Sequence, residues 1–325
     1  MLWFQLAGGL VLLLIGGEAL VRGASALAAR LGVSPLLIGL TVVGFGTSTP
    51  ELVTSLQAAF AGSPGIAVGN VVGSNIANVL LILGLSALMM PFAVGRRGFR
   101  RDGPAIVAAT LACVAVVLWE DLSRVAGAAL IAGLAVYLVV AWLSERTVTA
   151  APGPAPASAS ASASVAEPEP TGIPSMPLGL ALLWAAGGIV VTVLGARLLV
   201  GAAIDLAALW GVPDEVVGLS IVAVGTSLPE LATSIIAALR RQGEIAFGNV
   251  VGSNLYNILG ILGITALVKP IPIPPQIAAV DIWVMLGTTV LLVVVAATGW
   301  RVTRGEGAVL LSGYVAYVVW LATGI

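Results

Sequence analysis

The sequence predicts an all-α membrane protein of ten transmembrane helices, arranged as two inverted repeats of five. Three observations carry this expectation. The 325 residues are 59% hydrophobic and only 9% charged, with a mean hydropathy of +1.11, whereas a soluble domain carries about a quarter charged residues. Apolar stretches able to cross a bilayer, at roughly 20 residues each, recur along the whole chain. The two halves also repeat one another at a constant offset.

Taken in order, the apolar segments lie near 2–28, 33–60, 66–89, 103–119, 125–143, 178–209, 213–239, 245–268, 275–298 and 306–324. The opening MLWFQLAGGLVLLLIGG lacks the basic start and short apolar core of a cleaved signal peptide, so it reads as a retained first span. The long first and sixth segments are expected to tilt or to extend beyond the bilayer. Between the fifth and sixth lies TVTAAPGPAPASASASASVAEPEPTGIPSMP, 147–177. Its Ala, Pro and Ser cannot bury a core, and it reads as a disordered linker. The expected units are therefore 1–146, the linker 147–177, and 178–325.

An offset of 179 positions relates Thr47 to Thr226, Pro50 to Pro229, Glu51 to Glu230, Asn70 to Asn249, Ser74 to Ser253 and Asn78 to Asn257. IAVGNVVGSN (66–75) and IAFGNVVGSN (245–254) agree at nine positions of ten, the mark of internal duplication. An odd number of spans per half inserts the second copy upside down. With the amino terminus outside, the inner loops hold Arg22, Arg30, Arg96, Arg97, Arg100, Arg101, Arg146, Arg240, Arg241, Arg301 and Arg304, eleven of the fourteen Lys and Arg. The positive-inside rule then puts both termini outside and the linker in the cytoplasm. Inverted repeats of interrupted helices, with a site at their interface, are a secondary-transporter design.

Composition excludes several functions. A net charge of −1 offers no basic surface for nucleic acid. The absence of histidine removes zinc–histidine sites, histidine proton relays and Ser–His catalysis. An intramembrane aspartyl protease needs two intramembrane Asp, and the aspartates fall at segment ends or near loops. Cys113 is single, so no intrachain disulfide forms. No catalytic residue, cofactor or obligate protein partner is expected.

The chemistry sits in GFGTSTPELVTS (44–55) and AVGTSLPELATS (223–234). A carboxylate in the membrane costs several kcal/mol unless it is paired or hydrated. The surrounding segments supply no Lys or Arg in their central regions, so the counter-charge is a bound cation or a proton. Pro50 cannot bond the carbonyl of Gly46, nor Pro229 that of Gly225. A helix break is expected at Gly44, Gly46 and Pro50, and again at Ala223, Gly225 and Pro229, with backbone oxygens lining a cavity. Thr47, Ser48, Glu51, Thr54 and Ser55 share one helix face. On the following segment Asn70, Ser74 and Asn78 fall at i, i+4 and i+8, with Asn75 beside them. The second half repeats both sets, giving Thr226, Ser227, Glu230, Thr233 and Ser234, then Asn249, Ser253, Asn254 and Asn257. Thr54, Ser55, Thr233 and Ser234 also read as caps for backbone carbonyls. The Gly69/Gly73 and Gly248/Gly252 pairs read as helix-packing notches. An all-oxygen donor set disfavours soft metals and suits calcium, which takes 6–8 oxygens in flexible geometry. Two carboxylates balance one divalent ion or two monovalent ones, so calcium and sodium can exclude one another.

GTSTPE and GTSLPE, each followed by GNVVGSN and a downstream asparagine, resemble the calcium/cation antiporter superfamily, and within it the prokaryotic sodium/calcium exchanger branch. The resemblance covers roughly 31–87 and 210–266. It implies a cation cluster formed by the second and third spans of each half. Glu51 and Glu230 match the glutamates that ligate calcium and sodium. Thr47, Ser48, Thr226 and Ser227 match hydroxyl or carbonyl ligands, and Ser74, Asn78 and Ser253 match side-chain ligands. It further implies that the first and sixth spans slide as a gating pair against the other eight. Asn257 departs from the pattern, because many members carry aspartate there; the amide removes a possible proton or potassium site and one negative charge, which weakens any claim of potassium dependence and leaves the stoichiometry open. The linker resembles no calcium-sensing domain, so regulation by cytosolic calcium is not expected. The expected function is sodium/calcium antiport in a prokaryotic inner membrane, normally exporting calcium, with calcium and sodium ions and the lipid bilayer as partners. The alternative is a calcium/proton antiporter using the same two glutamates. An intramembrane enzyme and a passive channel are the more distant rivals.

Overall fold

The computed structural model describes residues 2–119, 121–149, 176–209 and 223–323, and these are almost entirely helical. The first half contains α1 (Leu2–Leu31), α2 (Pro35–Thr47), α3 (Thr49–Phe60), α4 (Pro64–Met89), α5 (Arg96–Leu118) and α6 (Arg124–Thr149). The second contains α7 (Leu178–Leu209), α8 (Ala223–Thr226), α9 (Leu228–Leu239), α10 (Gly243–Val268), α11 (Ile277–Ala297) and α12 (Arg304–Thr323). Among the described residues seven helices are long and apolar enough to cross a membrane, or eight when the bent pair α2–α3 counts as one span. The linker, apart from 147–149 and 176–177, and the stretch 213–222 of the seventh expected segment lie outside the described residues.

Two boundaries differ from hydropathy by six residues or more. α5 begins at Arg96, seven residues before the expected 103, because its polar first turns have partners. The Arg101 Nε donates to Asp102 Oδ1 at 2.6 Å, and the Tyr137 hydroxyl donates to the same oxygen at 3.1 Å. Asp102, expected near a loop, is thereby fully buried. α6 ends at Thr149, six residues past the segment end expected at 143 and three past the unit boundary at 146.

Apolarity sorts the helices into layers. In α4 and α10, 78% and 83% of the spanning window is buried, whereas α1, α6 and α7 bury only 33%, 28% and 28%. The peripheral helices turn Trp3, Phe4, Leu14, Ile15, Leu183, Leu194 and similar side chains outward. An apolar exterior of that extent fits hydrocarbon as solvent.

The loops gather at two ends. At one end Phe92–Ala93 pairs with Arg301–Val302, Arg96 stacks on Trp300, and Glu18 of α1 meets Arg22 and Arg240. At the other, Asp121–Leu122 pairs with Ile271–Pro272, Lys269 Nζ donates to the Phe60 carbonyl, and Arg124 donates to that of Leu267. The 23 residues of α5 join the two ends, about 35 Å at 1.5 Å per residue.

Small residues set the closest approaches. α1 and α7 pack along their length with Gly9, Gly16 and Gly23 against the backbone around Gly195, Thr192 and Ala185. α2 meets α10 backbone to backbone. A Cβ on Gly252 would lie 2.3 Å from the Leu40 carbonyl oxygen, one on Gly248 2.6 Å from that of Leu36, and one on Gly39 2.8 Å from that of Ile245. These atoms are main chain and cannot swing aside. Gly252→Ala is therefore expected to destabilise the protein by about 1–3 kcal/mol, read as a lowered Tm in detergent. Gly287→Ala in α11, which meets nothing within 4 Å, is expected to leave Tm unchanged or raised.

Candidate cation-binding site

Each half brings a broken helix to the middle of the molecule. α2 ends at Thr47, Ser48 leaves helical geometry (φ −81°, ψ 11°), and α3 restarts at Thr49 with its axis bent by 43°. In the second half α8 ends at Thr226, Ser227 takes φ −90° and ψ 7°, and α9 restarts at Leu228. The prolines do not interrupt a helix interior. Pro50 and Pro229 sit at the first turns of α3 and α9, where a missing N–H costs nothing and the fixed φ favours helix. The breaks thus fall at the serines, three residues before each glutamate.

The breaks place both glutamates in the first turn of a new helix, Glu51 in α3 and Glu230 in α9. There the positive end of the helix dipole favours a carboxylate. Both are 1% exposed. Their partners cross between the halves. Ser48 Oγ donates to Glu230 Oε1 at 2.8 Å, and Ser227 Oγ donates to Glu51 Oε1 at 3.2 Å. Each serine belongs to the break of one half and each carboxylate to the other, so the two repeats close on a common centre.

Around this pair, Ser74 Oγ lies 3.4 Å from Ser227 Oγ, and Ser253 Oγ donates to the Gly44 carbonyl at 3.3 Å. The Thr47 hydroxyl reaches Val43 O (3.0 Å) and Asn249 Oδ1 (3.2 Å), and that of Thr226 reaches Asn70 Oδ1 (3.5 Å). Asn78 Nδ2 donates to Asn254 Oδ1 at 2.9 Å, and Asn254 Nδ2 to the Asn75 carbonyl at 3.3 Å. Asn78 opens a π-helical stretch, Asn78–Leu83, and Asn257 lies in another, Tyr256–Leu262; such bulges re-aim side chains and recur at functional sites. The carbonyls expected to be freed at the first break already hold bonds. Gly44 O accepts from Ser48 N at 3.2 Å, and Gly46 O accepts from the Thr49 hydroxyl at 2.9 Å. A carbonyl has two lone pairs, so Gly46 O keeps one, whereas Gly44 O accepts from Ser253 Oγ as well as from Ser48 N. Gly46 and Gly225 serve packing as well, since a Cβ at either would strike Ile189 or Val200 of α7. Ala223 begins α8.

What is left over defines the chemistry. Glu51 Oε2, Glu230 Oε2, Asn78 Oδ1 and Asn257 Oδ1 are buried and make no hydrogen bond, and neither does Asn257 Nδ2. Among the described residues neither glutamate forms an ion pair, whereas Glu18 and Asp102 do. A buried oxygen without a donor costs about 1–3 kcal/mol, more when charged. Four such oxygens, two of them on the cross-linked carboxylates themselves, suit a hard cation and no soft one.

Sequence reasoning missed three features here. Thr49 caps the Gly46 carbonyl, a role that hydropathy does not signal. Thr110 and Thr289 hydrogen-bond each other at 3.1 Å. Asp102 and Asp281 each accept from a tyrosine, Tyr137 at 3.1 Å and Tyr317 at 2.9 Å. The last two were available in the sequence, because 110 and 289, like 102 and 281, obey the 179-residue offset.

The sodium/calcium exchanger protein family model matches residues 1–143 and 180–323, most of the chain. The chain belongs to the sodium/calcium exchanger family. It is 38% identical over 339 aligned positions to the sodium/calcium exchanger MaX1 of Methanosarcina acetivorans, covering 96% of this chain and 95% of that one. It is 36% identical over 320 positions to the inner membrane protein YrbG of Escherichia coli (97% and 94%). Among solved structures, it superposes with a TM-score of 0.81 on the sodium-calcium exchanger NCX_Mj soaked with 2.5 mM Na+ and 0.1 mM Ca2+, at 30% identity over 97% of this chain and 96% of that one.

For this family member, Glu51→Gln or Glu230→Gln removes one of two buried charges while keeping the shape. Each is expected to weaken calcium binding by about a hundredfold or more, measured with radioactive calcium on detergent-purified protein that retains a monodisperse elution profile.

Proposed function

We propose that this chain exchanges sodium for calcium across a prokaryotic inner membrane by alternating access, normally exporting calcium. The observation that carries the proposal is the crosswise pair, Ser48 with Glu230 and Ser227 with Glu51, which puts two buried carboxylates without a basic partner at the junction of the halves. Their charge is balanced by one calcium or by sodium ions in its place, and that competition is the basis of exchange. Thr47, Ser48, Thr226, Ser227, Ser74, Asn78, Ser253 and Asn257 complete the proposed shell, with backbone oxygens at the two breaks. The names of MaX1 and NCX_Mj support the ion pair, and that of YrbG the inner membrane.

Ten spans in inverted repeats are part of the proposal. Its support is that repeat-mates lie at opposite ends: Phe92 is paired at one end with Val302, while its mate Ile271 is paired at the other with Leu122. The Arg22, Arg96, Arg240 and Arg301 end is taken as cytoplasmic, which leaves both termini outside. Asparagine at 257 withholds a third carboxylate, so transport is expected not to need potassium.

The test is calcium uptake into proteoliposomes. An outward sodium gradient is expected to drive uptake, independent of potassium, and an outward proton gradient is not. Uptake driven only by the proton gradient would replace sodium with protons as the coupling ion.

A further inference from the structure

Four asparagines, Asn75 and Asn78 of α4 and Asn254 and Asn257 of α10, are each no more than 2% exposed. An asparagine serves a cation only through its carbonyl oxygen, because its amide nitrogen is a donor. A buried amide that is to act as a ligand must therefore be held the right way round. Something other than the ion has to choose which end faces inward.

For Asn78 a chain of bonds makes that choice. The main-chain carbonyl of Asn75 can only accept, and it accepts from Asn254 Nδ2 at 3.3 Å. Asn254 Oδ1 is thereby turned to Asn78 and accepts from its Nδ2 at 2.9 Å. The nitrogen of Asn78 is thus engaged, and its Oδ1 is the atom left without a partner. One backbone oxygen sets the polarity of both amides. That oxygen also keeps its place in the helix, since it accepts from the Asn78 main-chain N–H as well.

The other half does not repeat the chain. Asn75, which the 179-residue offset relates to Asn254, donates its Nδ2 to the Val71 carbonyl of its own helix at 2.8 Å. Its Oδ1 makes no hydrogen bond, and neither side-chain atom of Asn257 makes one. Both halves share one fold, so the Asn254–Asn78 bond is not something that the fold alone demands.

We propose that Asn254 is a positioning residue, which orients the Asn78 amide so that its oxygen faces the bound cation. The proposal rests on the cation shell above, in which Asn78 is a ligand, and adds the residue that decides which end of that ligand is presented. An amide already held in place spares the ion the cost of ordering it.

The test is equilibrium binding of radioactive calcium to detergent-purified, monodisperse protein, for wild type, Asn254→Leu, Asn78→Ala and the double variant. Leucine keeps the branched shape of asparagine and removes both bonds. Asn254→Leu is expected to raise the half-saturation for calcium roughly three- to tenfold, the size of one net hydrogen bond, with the number of ions bound per protein unchanged. Asn78→Ala is expected to raise it at least as far, and the double variant no further than Asn78→Ala, because Asn254 acts through Asn78. If the leucine variant fails to fold, Asn254→Ala takes its place in the cycle with the same expectation. An unchanged half-saturation in the Asn254 variant, a loss of binding capacity in place of affinity, or a loss that adds in full to that of Asn78→Ala would overturn the positioning role and leave the cation shell standing. Wild-type affinity in Asn78→Ala would take Asn78 out of the shell, and the role of Asn254 with it.

Discussion

Everything in this molecule is arranged around two carboxylates that have left water without acquiring a basic partner. Glu51 and Glu230 are held by serines from the opposite repeat, and each keeps one oxygen without a donor. Neutral serines orient a carboxylate but do not cancel its charge. In a low-dielectric interior the balance must come from something that enters and leaves. A side chain such as arginine would have made the site stable and inert. In the proposed function its absence is what lets a cation come and go.

That constraint explains the backbone around it. A continuous helix would cover its own carbonyls and present the glutamates mid-span, with no dipole to favour them. Breaking at Ser48 and Ser227 instead puts each carboxylate in the first turn of a new helix. Broken helices at membrane depth need close neighbours to satisfy their main chain. Glycine provides the approach, at Gly39, Gly248 and Gly252 between α2 and α10, and Thr49 satisfies the carbonyl that Pro50 releases. The lipid-facing helices α1, α6 and α7 turn apolar side chains outward, and α1 and α7 pack on each other through small residues.

The helix breaks and the Gly248/Gly252 notch were legible in the sequence, whereas the expected Gly69/Gly73 notch meets no main chain within 4 Å among the described residues. Glu51 alone is an oddity, but Glu51 and Glu230 in matching twelve-residue contexts mark a candidate site. The crosswise pairing was not legible, since no periodicity along one chain reveals which serine faces which carboxylate across a junction. The start of α5 was missed for a related reason. Hydropathy scores Arg101 and Asp102 as solvated, whereas in the fold they pair with each other and with Tyr137, so a polar turn stays helical and buried. The state of the Gly46 carbonyl also depended on a neighbour, Thr49, whose role appears only once the break is placed.

The most direct measurement is thermal stability in detergent with choline, sodium or calcium as the cation, for wild type and for the double variant carrying Glu51→Gln and Glu230→Gln. If mobile cations balance the two charges, sodium and calcium raise the wild-type Tm well above its value in choline, and the double variant is stable in choline and indifferent to either ion. A wild type whose Tm is the same in all three salts, or a double variant that still responds to calcium, would contradict the account.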